Sequence, residues 1–397
     1  MKNSPLSIYL EINDLNFIFF VTENNSEHDF KINHKLIAPL EGVENNRVTD
    51  LDKFSNKIKE NIYSIEQKFD CTFTEIILIL ENFDPSFINL TGFKKLNGSQ
   101  ILRENITYIL NTLKSHVDKT EANKKILHIF NTNFKLDNNK INNLPIGLFG
   151  DFYAHELSFN LIKKNDFKNL ERAFTNCNLK IKKILLKSFV VGASINEDNK
   201  NIDSFFQIKI NLNVSKIFYF ENNSLKYEQE FKFGTNIIIQ DISKITSLKK
   251  NTIEKILNEE DFGKEIREEE LIDKKLFNGE IYRKIKKKLI YDIVIARISE
   301  ILDLIVFKNN NINYYNEILN VIFFKIEDHL YLRSFKEIFD KVFKRNNSDV
   351  KYLNSFSDEK MLKTANRLVH FGWKREAIPI TQSQKSLIAR FFEAIFD

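Results

Sequence analysis

The sequence predicts a mixed α/β protein with at least two domains, and three observations lead to this prediction. The chain has 397 residues, 43% of them hydrophobic, which is more than a single hydrophobic core usually contains. Apolar residues recur at strand spacing in some segments and at helical spacing in others. A block of strand, polar turn, strand and helices opens the sequence, and a similar block follows Asp203.

The first part of the chain combines strands with a helix. Two apolar stretches within Ile8–Val21 lie around the polar Glu11–Asn16, which predicts two strands joined by a tight turn. Apolar residues at helical spacing predict a helix over Asp52–Phe69. The apolar run Ile76–Leu80 predicts a buried strand, so strand and helix alternate from the start.

The sequence pattern changes at Phe83, after which Gly and Pro residues separate short predicted segments. A helix near Leu102–Val117 and strands around Lys125–Leu136 and Phe152–Ile162 predict a small inserted α+β unit. A helix over Phe167–Asn176 and a strand over Ile181–Val191 would then return the chain to the first domain.

The second block begins with a strictly alternating stretch, Phe206–Val214, which is typical of a half-buried strand. Asp241–Leu302 is predicted to be mostly helical, and Phe335–Phe343 is a predicted helix with Phe335, Ile338, Phe339, Val342 and Phe343 on one face. The predicted organisation is a first domain (1–82 and 164–192), an inserted subdomain (83–163), a second domain (193–374) with a helical subdomain at about 235–310, a linker (375–386) and a terminal helix (387–397).

Composition narrows the function. With 37 Phe but only 10 Gly and 5 Pro, the chain must use Asn for many left-handed turns. The net charge of +5 is small, so no nucleic-acid partner is expected. Cys71 and Cys177 form neither a metal motif nor a disulfide framework, which favours a reducing compartment. The start lacks a signal peptide and no apolar run could span a bilayer, so any membrane contact is expected to be peripheral.

Two segments carry a resemblance to a known family. In Ile126–Gly150 a Leu-His pair opens a strand, Phe and Asp follow, and Pro-x-Gly with a further Gly closes the segment. These positions are Leu127, His128, Phe134, Asp137, Pro145, Gly147 and Gly150. The segment resembles the signature of the extra subdomain of the bacterial cell-division family FtsA, except that the family's Pro after the His is Asn131 here. Chance occurrence in a strand, turn and strand is the alternative.

The second segment is Lys286–Leu304, where Ala-Arg followed by Glu at Arg297 and Glu300 is similar to the helix of the family's partner-binding subdomain. The resemblance implies an actin-like (ribonuclease H-like) two-domain fold with the inserted subdomain. It also implies a membrane tether and scaffold of the cell-division ring, which anchors FtsZ filaments at the inner face of the cytoplasmic membrane, self-associates into filaments and meets other division proteins. The FtsZ C-terminal tail would bind at Arg297, Glu300, Lys286 and Lys287.

The resemblance implies ATP as cofactor, but the loops that would hold it depart from the family. In such proteins Gly lets backbone N–H groups approach phosphate, and an Asp on each hairpin positions metal and water. The positions are taken by Glu11, Asn13 and Asp14 in the first hairpin, by Lys209, Asn211, Leu212 and Asn213 in the second, and by Glu327, Asp328 and His329 in the adenosine turn. ATP binding is therefore expected to be weak or lost, and the chain is not expected to be an enzyme.

Some residues could still contact a nucleotide. Gly234, Thr235 and Asn236 form a second phosphate-side turn, and Glu254 and Lys255 would lie near an adenine edge. An alignment shifted by one or two residues, or Asn replacing Gly in turn geometry, would leave ATP binding intact. No residue stands out as catalytic or as a metal ligand.

The last residues predict an amphipathic helix. Its apolar stripe consists of Leu387, Ile388, Phe391, Phe392, Ile395 and Phe396. Such a stripe after a polar linker favours reversible binding to the membrane surface. The alternative is that the helix docks on the body or on another protomer. Two other functions remain open for the whole chain: a working actin-like ATPase, or a pilus or secretion scaffold of the same fold.

Overall fold

The computed structural model describes residues 6–24, 30–44, 46–81, 83–260, 262, 266–277, 279–315, 321–326, 332–346, 350–353 and 356–377. The chain divides into two compact units. The first unit comprises Met1–Asp203, Glu221–Tyr227 and Phe356–Asp397, and the second comprises Ser204–Phe220 and Glu228–Ser355.

The first unit contains a five-stranded sheet of order β11-β6-β1-β2-β3. The first three strands of the chain are antiparallel neighbours, whereas β6 runs parallel to β1 and β11 runs parallel to β6. The strands are Leu6–Ile12 (β1), Asn16–Asn24 (β2), Phe30–Pro39 (β3), Glu75–Leu80 (β6) and Lys180–Leu186 (β11), with a small separate hairpin of Val43–Glu44 (β4) and Arg47–Val48 (β5). The opening hairpin and the buried strand at 76–80 are confirmed.

Two helices pack against this sheet, α1 (Leu51–Phe69) and α3 (Lys164–Asn176). The α1 helix begins at Asp50, whose carboxylate accepts a hydrogen bond from the Lys53 N–H at 2.9 Å. The Phe54 ring then packs edge-on against Phe17, with 5.3 Å between centroids. The predicted helices at 52–69 and 167–176 are confirmed.

The predicted strand Ile181–Val191 is wrong beyond Leu186. At that point β11 pairs with Leu80, the last residue of β6, so no partner strand remains. The chain instead turns into helix α4 (Lys187–Asp198), which packs against α10 (Asp358–His370). A short apolar run does not distinguish a strand from a buried helix, which explains the error.

The inserted subdomain lies in the first unit as a four-stranded antiparallel sheet of order β7-β10-β8-β9. Helix α2 packs closely because a Cβ on Gly92 would lie only 2.4 Å from the Ile109 side chain. The predicted helix and both strands are confirmed. The elements are Ser86–Lys95 (β7), Arg103–Thr120 (α2), Lys124–Leu136 (β8), Asn139–Ile141 (β9) and Phe152–Lys163 (β10).

The second unit contains a sheet of order β14-β13-β12-β15-β16, in which β12 runs parallel to β15 and β15 to β16. The strands are Phe205–Ile210 (β12), Ser215–Glu221 (β13), Ser224–Phe231 (β14), Ile322–Ile326 (β15) and Val350–Tyr352 (β16). The alternating stretch Phe206–Val214 is therefore not one strand. It breaks after Ile210 because the Asn211 N–H donates to the Val214 carbonyl at 2.9 Å and closes a tight turn.

The helices of the second unit agree with the predicted helical region. The one-sided helix at 335–343 is confirmed within α9, because its five apolar residues are all buried. The helices are Asn236–Thr246 (α5), Lys250–Glu259 (α6), Lys287–Leu302 (α7), Asn310–Tyr315 (α8) and Leu332–Arg345 (α9), with a 3-10 turn at Lys274–Phe277 and a π-helical turn at Asp303–Phe307.

Asparagine does replace glycine in many turns, as the composition predicts. Left-handed backbone angles occur at Asn46, Asn97, Asn138, Asn178, Asn222 and Asn223, compared with Gly42, Gly98, Gly147, Gly279 and Gly372. Asn, unlike Gly, brings a side-chain amide into each turn, which matters in the hairpins described below.

Several predictions fall on residues outside those described. They are the adenosine turn at Glu327, Asp328 and His329 and the terminal helix at 387–397. In the part of the chain that is described, no helix combines the length and the apolar character needed to cross a bilayer.

Candidate functional site

The first hairpin of the first unit is closed by its own asparagine. The Asn13 side-chain oxygen accepts hydrogen bonds from the backbone N–H groups of Leu15, at 3.0 Å, and Asn16, at 2.8 Å. In a glycine hairpin such N–H groups would be free to bind phosphate. Leu15 occupies the tip and is 74% exposed. The hairpin therefore has an exposed apolar tip, and two of its backbone N–H groups are hydrogen-bonded within the turn.

An ion triad lies beside this hairpin, at the ends of the parallel strands. Glu11 is near the end of β1, Glu81 follows β6, and Lys187 begins α4 directly after β11. The Lys187 ammonium donates to Glu11 Oε1 at 2.7 Å and to Glu81 Oε2 at 2.8 Å. The carboxyl ends of parallel strands are where open α/β folds usually bind ligands, so the triad occupies the expected ligand edge.

The triad is strongly coupled. Burial by itself lowers the pKa of Lys187, but the charges of Glu81 and Glu11 outweigh it, so the pKa lies above its usual value. Two carboxylates against one ammonium leave one negative charge. That charge repels a phosphate group, and the effect is larger at a site shielded from water.

Sequence reasoning identified Glu11 but missed Glu81 and Lys187. Glu81 could have been found from its position, since it directly follows the predicted strand Ile76–Leu80. Lys187 carried no such signal, because it lies inside the predicted strand Ile181–Val191. Their pairing was not visible, because nothing in the sequence brings the ends of three separate strands together.

The second hairpin lies in the second unit and is closed as well. The Thr235 N–H donates to the Asn211 carbonyl at 3.0 Å, and the Asn236 N–H donates to the Leu212 carbonyl at 2.8 Å. A Cβ on Gly234 would lie 2.0 Å from the Asn211 oxygen, so only Gly allows this approach. The turn Gly234–Asn236 thus holds the hairpin through the N–H groups of Thr235 and Asn236. These are the same donors that a bound phosphate would require.

Lysines line this end of the second sheet. Lys209 lies directly between Lys216 on β13 and Lys325 on β15 in the strand register. Lys216 is paired with Glu228 at 3.3 Å and Glu230 at 3.1 Å. Lys209 thus stands where the resemblance would place a carboxylate that holds a metal, and an ammonium group cannot be a magnesium ligand.

The two adenine-edge candidates lie on α6 and have structural contacts. Lys255 donates to the Lys275 carbonyl at 2.9 Å, which ties α6 to the 3-10 turn. Glu254 forms an ion pair with Lys250 at 3.6 Å, one helical turn away. Their role in binding a nucleotide stays a prediction.

The candidate partner residue Arg297 lies on α7, where this helix packs against α5. Its guanidinium binds the Asp241 carboxylate of α5 and Glu300 Oε2, the latter at 2.7 Å. The Asp241 side chain is 15% exposed and the Glu300 side chain 55%. Asp241 therefore holds Arg297 in place from the inside, whereas Glu300 is accessible and its position could be taken by another carboxylate.

The basic run that precedes α7 is neutralised within the chain. Lys286 pairs with Glu269 at 2.9 Å, and Lys288 pairs with Glu268 at 3.1 Å. Lys287 is buried between Glu260 at 2.9 Å and Glu270 at 3.2 Å. Lys286 and Lys287, which the resemblance assigns to partner binding, therefore form ion pairs within the chain, and the buried Lys287 has a structural role.

The signature segment shapes the connection from β8 to β10. Asp137 Oδ1 accepts from the N–H groups of Asp151 and Phe152, both at 2.8 Å. A Cβ on Gly150 would lie 2.4 Å from the Leu136 side chain and 2.8 Å from the Asp137 carboxylate, so a larger residue would have to displace both side chains. These positions of the signature therefore have a physical reason in the inserted sheet.

We predict that Lys187→Met lowers the free energy of unfolding by about 3 kcal/mol at pH 7, because two buried carboxylates lose their partner. Because the wild-type pKa is raised, the contribution of Lys187 should be lost only as the pH rises above its usual value near 10.5. Urea denaturation across this range measures the effect.

The matched control is Lys182→Met, which removes an exposed pair with Glu75 on the neighbouring strand. It should change stability by no more than about 0.5 kcal/mol. Equal effects of the two variants at pH 7 would show that the triad is not a buried, coupled site.

Comparison with known proteins connects this architecture to named relatives. No family model matches the chain. FtsA of Buchnera aphidicola subsp. Schizaphis graminum is 23% identical over 317 residues, 79% of this chain and 74% of the relative. FtsA of Neisseria meningitidis serogroup B is 21% identical over 292 residues, 71% of this chain and 68% of the relative.

Among solved structures, the chain is similar to that of the PilM-PilN type IV pilus biogenesis complex. The TM-score is 0.52 at 10% identity, over 93% of this chain and 99% of the other, which shows the fold alone. The predicted fold class and the resemblance to FtsA are both confirmed. This chain is an actin-like protein, similar in sequence to the cell-division protein FtsA.

Proposed function

We propose that this protein is a non-catalytic scaffold of the cell-division ring, which holds FtsZ filaments at the cytoplasmic membrane. The observation that carries the proposal is the similarity to FtsA over 79% of the chain. The inserted sheet supports it, because the signature residues Asp137 and Gly150 build its main connection. In this proposal the actin-like body holds partners, and the terminal residues 387–397 bind lipid.

ATP has no part in the proposed function, and three local features support this. Asn13 closes the first hairpin, Lys187 and its two carboxylates occupy the ligand edge of the first unit, and Gly234–Asn236 closes the second hairpin. Each feature makes within the chain the contacts that a phosphate would otherwise make. Family-type binding would require these internal bonds to break.

We expect millimolar Mg-ATP to leave the melting temperature unchanged. A ligand present at a hundred times its Kd would stabilise the protein by about 2.7 kcal/mol, which a thermal-shift assay detects easily. Mg-ADP and EDTA serve as matched additions. A clear shift with Mg-ATP, or nucleotide that copurifies with the protein, would favour the alternative of a working actin-like ATPase.

The FtsZ C-terminal tail is proposed to bind at the α5–α7 surface, with a peptide carboxylate in place of Glu300 on the Arg297 guanidinium. The fixed position of Arg297 against Asp241 supports this, because a preoriented guanidinium loses little entropy on binding. The neutralised Lys286–Glu269 and Lys288–Glu268 pairs make long-range charge attraction a small contribution.

We predict that Arg297→Ala weakens binding of an FtsZ tail peptide at least about tenfold, equivalent to about 1.4 kcal/mol. Glu300→Gln should bind as tightly as wild type or more tightly, since it removes the internal competitor. Lys250→Ala, which removes another exposed cation of the same unit, is the control. Fluorescence anisotropy of a labelled tail peptide measures the Kd for wild type and for the three variants. Failure of wild type to bind would remove the division assignment and favour a pilus or secretion scaffold.

The membrane proposal rests on the apolar stripe at Leu387, Ile388, Phe391, Phe392, Ile395 and Phe396. Each large side chain buried at the interface gains on the order of 1.5 to 3 kcal/mol before ordering costs. Deletion of residues 384–397, or Phe391→Ser with Phe392→Ser, should abolish flotation with vesicles that contain anionic lipid. Glu393→Gln should float normally. Unchanged flotation of the deletion would contradict lipid binding by this stripe.

A further inference from the structure

The last described residues form an extra strand on the inserted sheet. We name Trp373–Ala377 the C-terminal strap. Its Arg375 carbonyl accepts from the Asn131 N–H at 2.7 Å, and its Ala377 N–H donates to the Ile129 carbonyl at 2.7 Å. Glu376 and Phe130 thus form an antiparallel bridge on β8. The strap therefore lies on an edge of β8 that β9, which pairs only with 134–136, leaves uncovered.

Both ends of the strap are buried in the same unit. The Trp373 indole N–H donates to the Asn223 carbonyl at 2.8 Å, and its ring packs edge-on against Phe189. Ala377 joins the apolar core between α2 and the inserted sheet. The sequence assigned 375–386 to a linker, but residues 375–377 are ordered parts of the sheet.

A buried carboxylate fixes the middle of the strap. Glu376 lies between His128 Nδ1 at 3.2 Å and Lys183 Nζ at 3.0 Å, and its side chain is 9% exposed. Burial raises its pKa, but Lys183 and His128 outweigh this and bring it to about 2. The carboxylate is therefore ionised and paired, and its loss would leave Lys183 with only its hydrogen bond to the Leu368 carbonyl, at 3.3 Å. His128 belongs to the signature segment, and its contact with Glu376 shows that it helps to hold the strap on β8.

One of these bonds distinguishes this chain from the signature that it resembles. The position that the signature gives to proline is Asn131 here, and proline has no N–H to donate. The bond from Asn131 to the Arg375 carbonyl is thus possible only because of that departure. The Asn131 side chain also contacts His155 Nε2 at 2.8 Å, which orients it on β8.

We infer that the C-terminal strap is an anchoring device, which fixes the chain at Ala377 on the edge of the inserted sheet. A pull on the chain beyond Ala377 then acts on β8 through two backbone hydrogen bonds, the Glu376–Lys183 ion pair and the Glu376–His128 hydrogen bond. Without the strap it would act on the end of α10. The inference rests on the proposed function only in treating 378–397 as the membrane-binding segment.

The primary test is Glu376→Gln, measured in the full-length protein by hydrogen exchange and limited trypsin digestion. The Asn131 and Ala377 amides should lose at least tenfold in protection, and cleavage after Lys374 or Arg375 should accelerate, because a released strap can enter the protease. Glu171→Gln, the same chemical change at an exposed position of α3, should leave both readouts at wild-type values. Unchanged protection in Glu376→Gln would count against the anchor.

A second pair of variants tests the backbone bond without changing any charge. Asn131→Pro removes the N–H that holds Arg375, whereas Asn131→Ala keeps this N–H and removes only the side chain. The anchor predicts faster exchange at Ala377 and faster trypsin cleavage in the proline variant than in the alanine variant. Equal behaviour of the two, together with normal protection in Glu376→Gln, would overturn the inference.

Vesicle flotation separates this inference from the membrane proposal. Glu376→Gln should still float, because lipid contact belongs to residues 387–397. A wild-type protein that does not float would refute lipid binding and leave the strap intact. Normal flotation with unchanged exchange in both strap variants would instead refute the anchor alone.

Discussion

The ammonium of Lys187 is the interaction on which the first unit depends most. It pairs with two carboxylates, Glu11 and Glu81, that the fold brings together where β1, β6 and β11 end, and removing it would take a cation away from both. The triad stabilises the same edge at which an actin-like protein would bind phosphate. The internal contacts of the triad therefore lie at an edge of the sheet where open α/β folds usually bind ligands.

In each of the two units, one hairpin is closed by hydrogen bonds within the chain. Asn13 satisfies the N–H groups of its own turn, and the second hairpin gives its carbonyls to Thr235 and Asn236. Asn13 is suited to its turn because its side-chain amide bonds to the neighbouring backbone. A chain poor in Gly can thus keep the hairpin shape. Its backbone N–H groups are then hydrogen-bonded within the chain, whereas in a glycine hairpin they could bind a ligand.

In the helical part of the second unit, basic side chains are likewise paired with acidic side chains of the same chain. Lys286, Lys287 and Lys288 are each paired with acidic side chains, and Arg297 is held by Asp241 and Glu300. In the first unit, the strap brings an acidic side chain to the signature histidine, so the inserted sheet also organises the chain beyond α10.

The sequence by itself determined the features that depend on near neighbours. Periodicity located α1, β6 and α9, because burial on one face follows directly from spacing, and the low Gly content predicted turns built on Asn. The signature segment indicated the inserted subdomain, since its Asp and Gly residues are required by a local turn.

Tertiary structure alone decided where strands end and which charges meet. Leu186 ends β11 because β6 has no further residue to pair with, and no local pattern records that. Glu11, Glu81 and Lys187, like His128, Lys183 and Glu376, are distant in sequence and become partners only when strands from different segments align. Burial then makes each pairing obligatory, because an isolated charge in the interior costs far more than one at the surface.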